Sequence, residues 1–198
     1  MMTKRRLARL TAVARARQQG AVVLEDIHDP HNAEAVFRSC DAFGIQHVCL
    51  IFDEGKPFNP RRIGKASSAS AHKWLSFETY GSAEECVGRL HAEGYEVVAT
   101  ALSDSAEPIH QAPLTEPRTA LLIGSEQRGL SEQALSLADR KLTIPMRGMV
   151  QSLNLSVTAA LCLYELTRQR IAAGIERYLL PEEEADALAR QWLEREVG

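Results

Sequence analysis

The residues with the most chemical potential sit in one run, Ala120-Leu121-Leu122-Ile123-Gly124-Ser125-Glu126-Gln127-Arg128-Gly129-Leu130-Ser131. An apolar stretch ends at a glycine, a carboxylate follows two residues later, and a second glycine precedes a helix signal. In open α/β sheets, ligands bind just beyond the carboxyl ends of the strands, and a glycine there lets a ligand come close to the backbone. Glu126 would repel a phosphate, so the run suits a neutral or cationic ligand. Taken alone, the run reads more readily as a plain strand-to-helix turn in which Glu126 partners a helix N-terminus. A second turn of the same kind follows Ile144-Pro145-Met146 and leads into Ser152-Leu153-Asn154. Ser and Asn at that point are helix caps, or polar side chains offered to the same ligand.

Other chemistries lack their residues. There is no GxGxxG after the first strand pattern and no GxxxxGK[ST], so the usual phosphate cradles are missing. Ser125 is not in a GxSxG elbow. His28 and His31 bracket a proline turn, and no Cys/His cluster has metal spacing, so no metal is expected. Cys40, Cys49, Cys86 and Cys162 are widely spaced and three lie in apolar stretches, which reads as buried reduced thiols of a cytoplasmic protein.

Elements must position these turns. The 198 residues are 45% hydrophobic and 25% charged, a globular composition of single-domain size, with no apolar run of the roughly 20 residues a membrane span needs. The basic N-terminus lacks the apolar stretch of a secretory signal. Strand patterns cover Ala21–Glu25, His47–Phe52, Tyr95–Ala101, Thr119–Ile123 and Lys141–Ile144. Helical spacing covers 32–43, ending at Gly44, and 82–93 after Ser82. A short helix starts at Ser131, and a long one runs from Leu153 to Ala173 with Leu153, Ser156, Val157, Ala160, Leu161 and Tyr164 on one face. Alternating strands and helices imply an α/β fold, a parallel sheet flanked by helices on both faces. Residues 53–73 and 103–118 read as long polar loops, the first of them basic.

Charge is unevenly spread. The chain has 23 Lys+Arg against 26 Asp+Glu, a net −3, yet residues 1–20 hold Lys4, Arg5, Arg6, Arg9, Arg15 and Arg17 with no acid. Residues 181–198 hold six acids against two arginines. A basic arm on a mildly acidic body suggests local contact with a polyanion; it is also what a solvated helix looks like.

Three blocks in order carry a family resemblance: His31-Asn32-Ala33-Glu34-Ala35-Val36-Phe37-Arg38-Ser39-Cys40-Asp41-Ala42-Phe43-Gly44, then Leu121 to Ser131, then Ile144-Pro145-Met146 through Ser152-Leu153-Asn154-Leu155-Ser156-Val157. With His72-Lys73-Trp74 and Ala99-Thr100-Ala101-Leu102, the chain resembles the SpoU/TrmH group of RNA 2′-O-ribose methyltransferases, nearest the branch that methylates a guanosine ribose in the tRNA D-loop. Ala33-Glu34 and Thr158 depart from its pattern.

The resemblance implies a SPOUT-type deep trefoil knot in the C-terminal part of a 21–173 domain, with helical extensions at 1–20 and 174–198. It implies S-adenosylmethionine as methyl donor, bound by Thr100, Leu102, Gly124, Ser125, Glu126, Ile144, Met146 and Leu153. Arg38 would be catalytic, with Asn32, Glu126, Ser152 and Asn154 completing the site. A guanidinium is protonated at all ordinary pH, so phosphate clamping suits Arg38 better than the base-like role the family reading gives it; an ion pair with Glu34 is the plain structural alternative. Arg5, Arg6, Arg9, Arg61, Arg62 and Lys73 are the expected RNA contacts, and a homodimer is implied, with the long helix and the 185–196 helix (Leu188, Trp192, Leu193) as interface candidates. Alternatives are a methyltransferase for ribosomal or another RNA, and a non-catalytic RNA-binding protein of the same fold.

Overall fold

A computed structural model describes residues 3–61 and 71–197. Seven strands form one sheet: β1 (Gln18–Glu25), β2 (Ile45–Ile51), β3 (Ser76–Tyr80), β4 (Glu96–Thr100), β5 (Glu107–Pro108), β6 (Thr119–Ile123) and β7 (Arg140–Thr143). Every pairing is parallel, in the order β3-β2-β1-β6-β4-β7-β5. The helices are α1 (Lys4–Arg15), α2 (Pro30–Phe43), α3 (Ala83–Ala92), α4 (Glu132–Leu137), α5 (Leu155–Ala173) and α6 (Glu182–Val197).

The central strands read as unbroken apolar runs because helices cover both faces. Alternate residues go to opposite sides. Val22, Leu24, Leu121 and Ile123 pack with Val36, Phe37 and Cys40 of α2 and with Ala159, Cys162 and Leu163 of α5. Val23, Ala120 and Leu122 pack with Cys86, Val87 and Leu90 of α3 and with Ala134 of α4. β4 lies between β6 and β7, so the chain leaving β6 at the loop 124–130 must cross β4 before it enters β7. That crossing opens the cleft described below.

Several expectations need correcting. Ser76–Tyr80 and Glu107–Pro108 are strands inside or beside segments expected as loops. β3 is an edge strand paired only with β2, with Glu78 and Thr79 exposed, so its apolar signal is diluted. β5 is two residues long and holds only through β7. β1 starts at Gln18, inside the expected N-terminal extension. In α5 the face that packs inward is Leu155, Ala159, Cys162, Leu163 and Leu166, whereas Val157, Leu161 and Tyr164 from the sequence-read face are exposed. Nineteen residues with apolar side chains on both sides defeat a one-stripe reading.

The two helical ends pack on each other. α1 lies against α6, where Leu10 and Ala14 bury Leu188, Ala189 and Trp192. Leu188 and Trp192 of the 185–196 helix are therefore buried within the chain itself. Charge follows the same logic: Arg6 pairs with Glu196, Arg15 with Asp186 and Glu182, and buried Arg17 with Asp41. Much of the end-to-end charge asymmetry serves to hold the two terminal helices together.

Candidate active site

A cleft of about 540 Å³ opens at the carboxyl edge of the sheet, between the ends of β4, β6 and β7. Its walls are three loops. Thr100 ends β4, and Leu102 and Ser103 follow it; Ile123 ends β6, and Gly124, Ser125, Glu126 and Leu130 follow it; Ile144, Met146, Gln151, Ser152 and Leu153 follow β7. All eight residues expected to bind the donor line this one cleft, together with Ser152.

The loop after β6 is shaped by its glycines. Ser125 and Gly129 exchange two backbone hydrogen bonds, Ser125 N–H to Gly129 C=O at 3.1 Å and the reverse at 2.9 Å. Gly129 sits at φ 68°, a left-handed conformation that favours glycine. At Gly124 a Cβ would lie 2.1 Å from the Gly129 carbonyl carbon. No other residue fits there.

Glu126 leaves this ring at the mouth of the cleft. The Asn32 side-chain amide donates to its Oε1, and Asn154 Nδ2 donates to Asn32 Oδ1 at 3.1 Å. Asn154 caps α5, its Oδ1 accepting from Ser156 N–H at 2.9 Å and from the Ser156 hydroxyl at 2.6 Å. Asn32 sits in the first turn of α2, which Asp29 caps and Pro30 starts. The carboxylate thus faces the positive ends of two helices, and its partner is α2 rather than the helix that follows it in sequence.

Arg38 lies elsewhere. It is exposed on α2, six residues beyond Asn32, which is about 9 Å along the axis. The 3-10 turn at Ala71–Lys73 packs on α2 and carries exposed Lys73. Arg195 Nη1 donates to the Lys73 carbonyl at 2.9 Å, and burial, then the charge of Arg61, hold the Arg195 guanidinium below its usual pKa. Arg61, Lys73 and Arg195 therefore make a positive neighbourhood. Arg5 and Arg9 are exposed on α1, Arg6 is engaged by Glu196, and Arg62 lies outside the described residues.

Among the described residues, no group of three His, Cys, Asp or Glu is placed to hold a metal ion, and no helix is long and apolar enough to cross a membrane.

The sequence model of the SpoU rRNA Methylase family matches residues 19–164. The chain belongs to this family. It is 39% identical over 197 residues to the tRNA (guanosine(18)-2'-O)-methyltransferase of Thermus thermophilus, covering 98% of both chains. The crystal structure of the A. aeolicus TrmH/SpoU tRNA modifying enzyme superposes with a TM-score of 0.88 at 33% identity over 98% of both chains. The SpoU methyltransferase AviRb from Streptomyces viridochromogenes, in complex with the cofactor AdoMet, gives 0.67 at 29% identity over 79% of this chain and 60% of that one. The SpoU match spans all three loops of the cleft and α2, but stops before α6.

Two acids just outside the cleft are bonded to segments that border it and carry no signal in the sequence. Glu25 ends β1 and Asp26 follows it; both look like ordinary strand-end acids, and nothing in their local pattern marks them. Arg128 was passed over as well; it pairs with Glu54 across the sheet edge.

Proposed function

We propose that this chain transfers a methyl group from S-adenosylmethionine to the 2′-hydroxyl of a guanosine in the D-loop of tRNA, acting in the cytoplasm as a homodimer. The observation that carries the reading is the cleft with Glu126 at its mouth, held by Asn32 and Asn154, in a chain that matches a tRNA guanosine methyltransferase almost end to end.

The residues present fit the donor. The cleft is of ligand size, and Leu102, Ile144, Met146 and Leu153 offer apolar cover for an adenine. A carboxylate at the mouth suits a cation and would oppose a phosphate-bearing cofactor. When bound, S-adenosylmethionine supplies a methyl group already activated by a positive sulfur. The protein's task is then alignment and proton handling. Glu126, fixed by Asn32, offers a negative group beside the cleft. Arg38 clamps the phosphate next to the target ribose and orients its hydroxyl. Ser152 and Asn154 fix the start of α5 against the same space.

Arg5, Arg9, Arg61 and Lys73 supply phosphate contacts that give affinity and little sequence information. The passage of the chain across β4 supports the trefoil knot of the SPOUT type. Val157, Leu161, Tyr164 and Ile171 form an exposed apolar stripe along α5, and α5 begins at the cleft, where Leu155 lines it. A partner copy seated on this stripe lies beside the site.

The test is methylation of tRNA and ribosomal RNA transcripts with labelled donor, followed by mass spectrometry to locate the modified nucleotide. Label at a D-loop guanosine ribose is the expected result. Methylation of ribosomal RNA alone, or of no RNA, overturns it.

A further inference from the structure

The last residue of β1, Glu25, and the one after it, Asp26, are two consecutive acids that neither line the cleft nor touch the residues assigned to catalysis. Glu25 is only 2% exposed. Its two carboxylate oxygens accept from Ser131, one from the backbone N–H at 2.7 Å and the other from the hydroxyl at 2.8 Å. Ser131 is where the loop 124–130 ends and α4 begins, and its hydroxyl also accepts from the Ala134 N–H at 3.0 Å. A carboxylate this deep is tolerated only when hydrogen-bonded, and here a single residue meets both oxygens.

What that residue controls is the aim of the cleft loop. The ring from Ser125 to Gly129 is closed by its own backbone hydrogen bonds, and Gly124 is packed against Gly129 with no room for a Cβ. Such a ring moves as a unit, so its direction is set where it is anchored. The entrance is β6, paired to β1. The exit is Ser131, tied to the last residue of β1.

Asp26 reaches the same loop only through a neighbouring turn, residues 53–55. It takes φ 48°, a left-handed turn that Asp tolerates better than most side chains. Its Oδ1 accepts from the backbone N–H groups of Asp53 at 3.0 Å, Glu54 at 3.2 Å and Gly55 at 2.9 Å. The turn so held presents Glu54 to Arg128 of the cleft loop.

We infer that Glu25 is a positioning residue for the methyl donor, fixing through Ser131 the exit of the loop that lines the donor cleft, with Asp26 as a second hold through Glu54 and Arg128. The inference rests on the reading that this cleft holds S-adenosylmethionine.

The experiment compares the full chain with Glu25→Ala, Glu25→Gln, Ser131→Ala and the Glu25→Ala/Ser131→Ala pair. S-adenosylmethionine is titrated by calorimetry, tRNA binding is measured without donor, and hydrogen exchange is followed in donor-free protein. Glu25→Ala is expected to weaken donor binding tenfold or more, with tRNA affinity within twofold of wild type. Glu25→Gln recovers most of the loss, because an amide can accept from the Ser131 N–H and donate to its hydroxyl. The double variant is no worse than Glu25→Ala alone. Amides from 125 to 131 exchange faster in Glu25→Ala while those of β1 and β6 keep their protection. Wild-type donor affinity in Glu25→Ala, or an equal fall in donor and tRNA affinity, overturns the inference. If wild type itself binds no donor, the functional reading fails, and unchanged exchange at 125–131 in Glu25→Ala would still overturn the role of Glu25.

Discussion

Asn154 donates its side-chain amide to Asn32 across 122 positions of sequence, at 3.1 Å. This bond brings the cap of α5 and the first turn of α2 to one point, and Asn32 passes the connection on to Glu126. Two helices that pack along the same sheet face thus converge with their amino ends on the carboxylate at the cleft mouth. The packing of α2 on α5 is what makes the site; neither helix carries it alone.

Removing the middle of this relay should cost the most. Asn32→Ala leaves Glu126 without its amide, and a hydrogen bond to a charged group is worth about 1.5–3 kcal/mol. Methyl transfer in single turnover should therefore slow roughly 10- to 100-fold. Asn154→Asp keeps the cap on Ser156 but cannot donate to Asn32. It should slow transfer less, and combined with Asn32→Ala it should add nothing, since Asn154 acts through Asn32.

Gly124→Ala tests the tight ring. Its methyl group would collide with backbone, not with a movable side chain. Donor affinity is expected to fall at least about 100-fold, and overpacking of this kind typically costs about 1–3 kcal/mol of stability. Calorimetric titration and thermal unfolding read the two effects separately.

The sheet and most helices were legible because buried parallel strands are continuous apolar runs, and because α2, α3 and α4 carry plain signals in Gly44, Ser82 and Ser131. An edge strand such as β3 was not, since none of its five residues is fully buried and two face water. The cleft walls could be named from the three sequence blocks, yet the bond between Asn32 and Asn154 could not, because only the fold brings those segments together. Glu25 was illegible for the same reason: its partner, Ser131, is 106 residues away. The two-sided apolar character of α5 also hid which face goes inward.

The thiols give a pH prediction. Burial, opposed only in part by Arg17, pushes the Cys40 thiol from its ordinary value near 9 to about 12, and burial does the same for Cys162. A thiol whose pKa is raised by folding keeps its proton longer in the native state. Stability is therefore full below about pH 9 and declines as pH climbs toward 12, by up to about 1.4 kcal/mol per pH unit for each thiol. Urea unfolding at stepped alkaline pH should show this decline, and it should be shallower in Cys162→Ala relative to that variant's own neutral-pH stability. All four cysteines, free and buried, should resist thiol reagents at pH 8 until the protein is unfolded.

Charge on α1 is separable from its packing. Deleting residues 1–17 would strip Leu10 and Ala14 from Trp192 and remove buried Arg17, so point changes are the cleaner probe. Arg5→Gln with Arg9→Gln should weaken tRNA binding and reduce its salt dependence by roughly one unit of log–log slope per residue. Donor affinity should stay unchanged. Arg6→Gln should do less, because Glu196 already holds that guanidinium.

The exposed stripe of α5 gives the proposed homodimer a test. Val157 is 46% and Leu161 40% exposed in the single chain, four residues apart on the face turned away from the sheet. Apolar residues so arranged on a helix otherwise packed against a core mark a contact surface. Val157→Arg with Leu161→Arg places two cations there without touching the packed face formed by Leu155, Ala159 and Leu163. Wild type should run as a dimer in light scattering, and the variant as a monomer that unfolds near its own chain's intrinsic temperature. Because α5 starts at the cleft, the monomer should also lose most of its methyl transfer while each chain keeps its sheet, as far-ultraviolet circular dichroism would report. A variant that keeps the dimer mass would place the interface elsewhere.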